Sequence, residues 1–260
     1  MASSTRGPVT LSPRADLTLR PPAPFDFDTT TSKPSTLPDP TTRHEPGTHW
    51  QTIRGDGQLP GLRLRADGAL YEWVSVLALL QMATAGRLSK MVHAVFDNYG
   101  TRVGFDGHEL HAFWQTRDIA AAGEEPLRAL ELGYRAKSLV RIAESMLEGG
   151  YDEDAIRAMD RGQARKALLR LYGIGPASVG YLLYQTFHHY DALDTVPPWD
   201  VKLYARLLYD TEAADPDRII ADMTARYGRF RALASAYMLE DLFARHQHEP
   251  IAWLADEIRT

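Results

Sequence analysis

Residues 165–183 read Arg165-Lys166-Ala167-Leu168-Leu169-Arg170-Leu171-Tyr172-Gly173-Ile174-Gly175-Pro176-Ala177-Ser178-Val179-Gly180-Tyr181-Leu182-Leu183, and their pattern decides the fold. The stretch predicts a helix, a hairpin at residues 171–176 and a second helix. Gly173 and Gly175 let the backbone turn sharply and approach another chain closely. Ile174 plugs the space between the helices, and Pro176 suits the first turn of the second. Such a turn leaves amide N–H groups unsatisfied at a helix N-terminus, where the dipole also favours an anion. A Gly-x-Gly alone does no more than end one helix and start another. Apolar residues before, inside and after these glycines (Leu168, Leu171, Ile174, Val179) turn the balance toward a hairpin that binds a phosphate backbone.

A loop from His188 to Thr195 then leads into Val196-Pro197-Pro198-Trp199-Asp200-Val201-Lys202-Leu203-Tyr204-Ala205-Arg206-Leu207. The paired prolines end one segment rigidly, and Asp200 falls where the next helix begins. Taken alone, Asp200 is an N-cap that accepts a bond from the helix backbone. The same helix start would keep it ionised, and an ionised carboxylate can stabilise a sugar carbon that becomes cationic while it orients or deprotonates water. Asp191 and Asp194 lack this rigid approach and read as solvent-facing turn residues. His188-His189 makes a poor metal pair, because adjacent residues at a helix end point apart and no His or carboxylate follows at i+4. No metal site is expected.

Outward from this centre, composition narrows the function classes. The chain of 260 residues is 44% hydrophobic and 24% charged, ordinary for a globular protein. It has no cysteine, which excludes disulfides, thiolate zinc sites, a cysteine nucleophile and a four-cysteine iron–sulfur cluster. A net charge of -5 argues against a whole-molecule grip on nucleic acid, yet Arg161 to Arg206 holds six Lys or Arg against three Asp. No apolar run is long enough to span a membrane, and the start MASSTRGPVTLSPR lacks the apolar core of a secretion signal, so no membrane partner and a cytoplasmic location are expected.

Nine of the 16 prolines lie at or before Pro46, and residues 1–15 are expected to lack fixed structure. Leu17 to Arg20, His49 to Arg54 and Gly61 to Arg65 alternate as strands do, with turn signals at Asp56-Gly57 and Asp67-Gly68. Residues 16–68 therefore read as a small antiparallel β-containing N-terminal domain. From Leu70 the apolar period becomes helical, and 69–260 reads as a helical domain, almost without other structure. Near the end, Phe230, Leu233 and Tyr237 form an expected core stripe that Met238 and Leu242 extend.

A glycine hairpin followed about twenty-five residues later by Val-Pro-x-x-Asp-Val-x-x-x-x-Arg resembles the helix-hairpin-helix (HhH-GPD) DNA glycosylase superfamily. The nearer branches look like 3-methyladenine DNA glycosylase II and 8-oxoguanine DNA glycosylase. Leu77 to Ala85, followed by Lys90 and Asn98-Tyr99-Gly100, is similar to the family's Leu-Gly-Gln-x-x-Ser-x helix–turn–helix. Ala129 to Leu139 is similar to its Leu-Gly-x-x-Arg-x-Lys-Ala turn, and Leu19 to Phe27 to the opening of its small β domain. The resemblance implies a mainly α, two-lobed helical core with a small N-terminal antiparallel β element. It assigns Asp200 the catalytic carboxylate, and Gly173, Ile174, Gly175, Ala177, Ser178, Lys166 and Lys202 the DNA backbone. Gln81 and Met82 fall where the family places a wedge that fills the hole left by an extruded base; a core methionine is the other reading of Met82. Tyr181 and Trp199 fall at the base pocket, with core packing the alternative for Tyr181.

The implied activity is a DNA repair glycosylase that flips a damaged base from duplex DNA and hydrolyses its N-glycosidic bond, as a monomer and without a required cofactor. Many members also hold a monovalent cation on hairpin carbonyls. In lyase-active members a lysine stands two residues after the second hairpin glycine and forms a Schiff base with the sugar. Here that position is Ala177, which favours a monofunctional enzyme acting through water, on an alkylated or deaminated purine. A bifunctional 8-oxoguanine-type glycosylase/lyase using Lys90, Lys166 or Lys202 is the alternative within the family. A non-catalytic hairpin protein that binds DNA structure, or an unrelated helical protein whose hairpin meets another protein, are the alternatives outside it.

Overall fold

The computed structural model describes residues 9–11, 40–45, 48–52, 70–105 and 107–259. The expected strands at Leu17 to Arg20 and Gly61 to Arg65, both Asp-Gly turns beside them and the Leu19 to Phe27 match lie outside these residues. What is described of the N-terminal region is a β-hairpin, β2 (Thr42–Glu45) against β3 (Thr48–Gln51), with Arg43 opposite Trp50. Ahead of it, β1 (Val9–Thr10) lies in the segment expected to lack fixed structure, yet it pairs in parallel with β4 (Thr101–Phe105).

β4 also pairs antiparallel with β5 (His108–Ala112), giving a three-stranded sheet of order β1-β4-β5, of which β4 and β5 lie inside the region expected to be helical. Its signal was present in the sequence: Asp106-Gly107 is a hairpin dipeptide, and Val103, Leu110 and Ala112 alternate inward. The helical period on both sides masked it. The two β units are joined through the His111 amide on the Pro40 carbonyl at 2.8 Å and the Thr52 hydroxyl on the His111 carbonyl.

The rest is helical: α1 (Leu70–Leu80), α2 (Ala85–Tyr99), α3 (Thr116–Ala122), α4 (Glu124–Arg128), α5 (Arg135–Leu147), α6 (Glu153–Arg157), α7 (Arg161–Leu168) and α8 (Pro176–Gln185). After the loop come α9 (Pro198–Tyr209), α10 (Pro216–Tyr227), α11 (Arg231–His248) and α12 (Ala252–Arg259). Local chemistry sets several boundaries. Thr84 caps α2 through the Arg87 amide, and Asp160 with Gln163 forms a reciprocal capping box at α7.

One apolar cluster joins α1, α2, α5 and α8 through Leu77, Val95, Leu139, Ile142, Val179 and Leu183, and extends to the hairpin residues Leu171 and Ile174. Two further clusters build the second lobe, one on Tyr204, Ile219 and Met223, the other on Leu203, Leu242 and Leu254. The hairpin thus belongs to the first lobe and α9 to the second. On α11 the buried residues are Ala232, Ser235 and Leu242, whereas Phe230 and Tyr237 are 44% and 66% exposed. The expected Phe230–Tyr237 stripe is rotated away from the core, because the small residues Ala232 and Ser235 admit the close approach of Tyr204, whose hydroxyl bonds to Ser235.

The loop between the lobes is held by charge. Asp194 accepts Arg161 Nη1 at 2.9 Å and Arg231 Nη2 at 3.2 Å, with Arg165 at 3.9 Å, and Arg161 also reaches Asp191 at 3.4 Å. These aspartates, still at the surface as expected, are loop anchors as well. Replacing Asp194 by Ala leaves the largely buried Arg231 without its carboxylate, and should lower unfolding free energy by about 1–3 kcal/mol. A urea midpoint that falls with an unchanged slope checks this.

Candidate active site

The hairpin follows from backbone geometry. Gly173 has φ +73°, where a side chain is strained, and a Cβ there would meet the Ser138 hydroxyl at 3.6 Å. Gly175 is extended and precedes Pro176 at the first position of α8. Ile174 is buried in the first lobe's core, and its amide bonds to the Leu171 carbonyl at 3.1 Å. No side chain caps α8, so the amides of Ala177 and Ser178 open its first turn without a capping partner. Lys166, on α7, is exposed beside this turn in sequence and forms no ion pair among the described residues.

Asp200 is not an N-cap. Pro197 takes the cap position without a side-chain bond, Pro198 opens α9, and Asp200 stands third in the helix with its carboxylate uncommitted to the backbone. The residue is 7% exposed. Its Oδ2 accepts the Tyr181 hydroxyl at 3.0 Å, so α8 and α9 meet at this bond. Oδ1 has no protein partner among the described residues and is not sealed from solvent.

The helix start was expected to keep the carboxylate ionised; burial works against this without overturning it at neutral pH. Desolvation pushes the Asp200 pKa up to about 6, against a smaller lowering by the Tyr181 bond. At neutral pH the group remains mostly ionised, yet it titrates within an accessible range. The Tyr181 phenol is pushed well above its usual pKa by burial and by the Asp200 charge, so it stays a donor. Tyr204 is raised chiefly by burial, with Asp200 adding to it.

Tyr181 is therefore not a core residue: it is 39% exposed and its hydroxyl is turned to the carboxylate. Ala177 lies one turn earlier on the same side of α8. Trp199 was expected in the base pocket beside Tyr181, but its ring stacks on Phe243 at 6.1 Å and its Nε1 donates to the Glu257 carbonyl at 3.4 Å. Lys202, expected at the DNA backbone, is half exposed and pairs with Glu257 Oε2 at 2.7 Å.

Met82 is likewise no core methionine. It has φ +50° and is 95% exposed, standing on the short turn between α1 and α2. Gln81 beside it reaches the hairpin, where its side-chain amide donates to the Gly173 carbonyl. Tyr134 and Arg135, which sequence reading matched to a family turn without giving them a role, both donate to the Gln81 carbonyl.

The raised pKa of Asp200 fixes a sign for stability. A folded-state pKa above that of a free carboxylate costs nothing where both states are protonated, grows as pH rises toward about 6, and is complete above it. Asp200→Asn should raise stability near pH 8 by roughly 2–3 kcal/mol and leave it little changed near pH 3, as read from thermal unfolding at both values. Gly173→Ala should cost about 1–2 kcal/mol through the left-handed conformation alone, measurable by urea denaturation.

With this geometry in hand, the fold can be compared with solved proteins. The Clostridium acetobutylicum 8-oxoguanine glycosylase/lyase, in complex with dsDNA containing cytosine opposite 8-oxoG, superposes with a TM-score of 0.58 at 17% identity over 71% of this chain and 62% of that one. The 3-methyladenine DNA glycosylase from Archaeoglobus fulgidus gives 0.56 at 19% identity, over 70% of this chain and 60% of that one. The Schizosaccharomyces pombe 3-methyladenine DNA glycosylase, in complex with abasic DNA, gives 0.51 at 16% identity, over 70% and 82%. The chain spans less than two thirds of the length of the first two. No protein-family model and no curated protein matches the sequence. Its mainly α architecture is the fold that these solved 8-oxoguanine and 3-methyladenine DNA glycosylases share.

Proposed function

We propose that this chain is a DNA repair glycosylase that draws a damaged base out of duplex DNA and hydrolyses its N-glycosidic bond. The observation that carries this reading is the Asp200 carboxylate, buried at the start of α9 and held through one oxygen by Tyr181, within the fold of DNA glycosylases. In this scheme the hairpin amides of Gly175, Ala177 and Ser178, with Lys166, hold a phosphate of the lesion strand. Met82 enters the base stack, and its extruded, unbranched side chain suits a wedge. Tyr181 lines the base site from α8 while it holds the carboxylate.

The chemistry needs a negative group beside C1′. As the bond between C1′ and the base nitrogen breaks, its electron pair leaves with the base and positive charge develops on the sugar, which Asp200 stabilises. Water adds to C1′, and its proton passes to Asp200, whose pKa near 6 suits a base that must also release that proton. Ala177 at the lysine position, and the engagement of Lys202 with Glu257, favour a monofunctional enzyme. An alkylated or deaminated purine remains the proposed substrate, and the active unit a monomer. No step requires a cofactor; a monovalent cation on the hairpin would share the Leu171 and Gly173 carbonyls with the Ile174 amide and the Gln81 side chain.

A panel of duplexes carrying alkylated purines, hypoxanthine, uracil and 8-oxoguanine, treated with alkali after incubation, tests the proposal. Base release from at least one duplex by the wild type, lost by 100-fold or more in Asp200→Asn, is expected, on the order of the loss seen when an electrostatic group is removed. Release from none of them would sink it, and covalent trapping by borohydride would replace hydrolysis with a lyase route. The rate at limiting substrate should fall about tenfold per pH unit below about 6. Duplex affinity should drop on the order of 10- to 100-fold between 50 and 200 mM salt.

A further inference from the structure

The carbonyl oxygen of Gln81 accepts the Tyr134 hydroxyl at 3.1 Å, Arg135 Nε at 3.1 Å and a closer bond from Arg135 Nη2. Arg135 is 3% exposed and has no carboxylate partner among the described residues. Its charge rests on that carbonyl and on the face of Tyr134, 4.6 Å from the ring centre. A cation withdrawn from water without an anion is costly, so the contact it makes must be well determined. That contact governs the next residue. The Gln81 carbonyl and the Met82 nitrogen share one rigid peptide plane, so clamping the oxygen fixes the axis about which Met82 turns. Met82 holds φ +50° with a side chain that packs on nothing, a conformation that persists only where its flanking peptides are over-determined. On the other side, the Gln81 amide is tied to the Gly173 carbonyl of the hairpin.

We propose that Arg135, assisted by Tyr134, is a positioning residue that sets Met82 as the wedge, and that Gln81 joins this wedge to the phosphate-holding hairpin as one rigid unit. The inference rests on the reading of Met82 as the wedge. Seating the hairpin on a phosphate then places the wedge at a set distance along the duplex without a further ordering step.

The test uses the whole protein and a duplex with 2-aminopurine beside an abasic analogue, whose fluorescence rises when stacking is lost on binding, alongside base release from the best substrate of the panel. Arg135→Met should lower the fluorescence rise and the second-order rate by roughly 10- to 100-fold. Its affinity for undamaged duplex, carried by the hairpin, should change by less than about twofold, and Arg135→Lys should restore part of the loss. Tyr134→Phe, at an exposed ring, should give a loss of about threefold in the same direction and guards against misfolding of the buried variant. In a Met82→Ala background, Arg135→Met should add nothing, because it acts through Met82. Multiplicative losses in the double variant, or an undiminished fluorescence rise in both Arg135→Met and Tyr134→Phe, overturn the inference. An undiminished rise in Met82→Ala alone overturns the wedge reading and this inference with it, while leaving Asp200 chemistry standing if base release persists.

Discussion

A carboxylate removed from water must be compensated where it sits, and the Asp200–Tyr181 hydrogen bond is the point at which the two lobes provide that compensation. Tyr181 comes from α8, whose start is the glycine hairpin; Asp200 comes from α9, whose start is the Pro197-Pro198 pair. The bond is made only if both helix starts are in place. That makes the carboxylate sensitive to the hairpin and to the connecting loop. Burial dominates the Asp200 pKa, and the tyrosine bond only tempers it.

Charge is distributed in keeping with this. The stretch from Arg161 to Arg206 is basic in composition, but Arg161 and Arg165 turn inward onto Asp194, where Arg231 joins them, and Lys202 turns onto Glu257. Much of the apparent basic surplus therefore holds the interlobe loop and the last helix. In the proposed scheme the contact to a phosphate is left to backbone amides at the start of α8 and to the exposed Lys166, a local arrangement that an acidic protein can carry without a broad positive face.

The turn that carries Met82 shows how a strained residue is supported from outside its own segment. Tyr134 and Arg135, at the start of α5, hold the Gln81 carbonyl, and the hairpin holds the Gln81 side-chain amide. The same segment of α5 brings Ser138 beside Gly173, so one helix start buttresses both the turn and the hairpin. Packing of the first lobe, through Leu139 and Ile142 of α5 and Val179 of α8, keeps these partners in register.

Sequence by itself determined the local features: the hairpin glycines, a helix starting close to Asp200 and the helical periods, each set by backbone conformation or by neighbours a few residues apart. It exposed the candidate carboxylate through the Pro-x-Asp-Val pattern, but assigned it a cap that Pro197 occupies instead. Tertiary structure alone decided the rest, because the deciding contacts join residues far apart in the chain. It turned Trp199 and Lys202 toward the last helix, made loop anchors of the surface residues Asp191 and Asp194, and seated Ala232 and Ser235 rather than Phe230 and Tyr237 against the core. The β4–β5 hairpin lies between these cases: its Asp-Gly signal is local, whereas the parallel partner at Val9–Thr10 is visible only once the chain has folded back on itself. The acidity of Asp200 belongs wholly to tertiary structure, since a pKa shift by desolvation depends on what surrounds the group and not on what adjoins it in sequence.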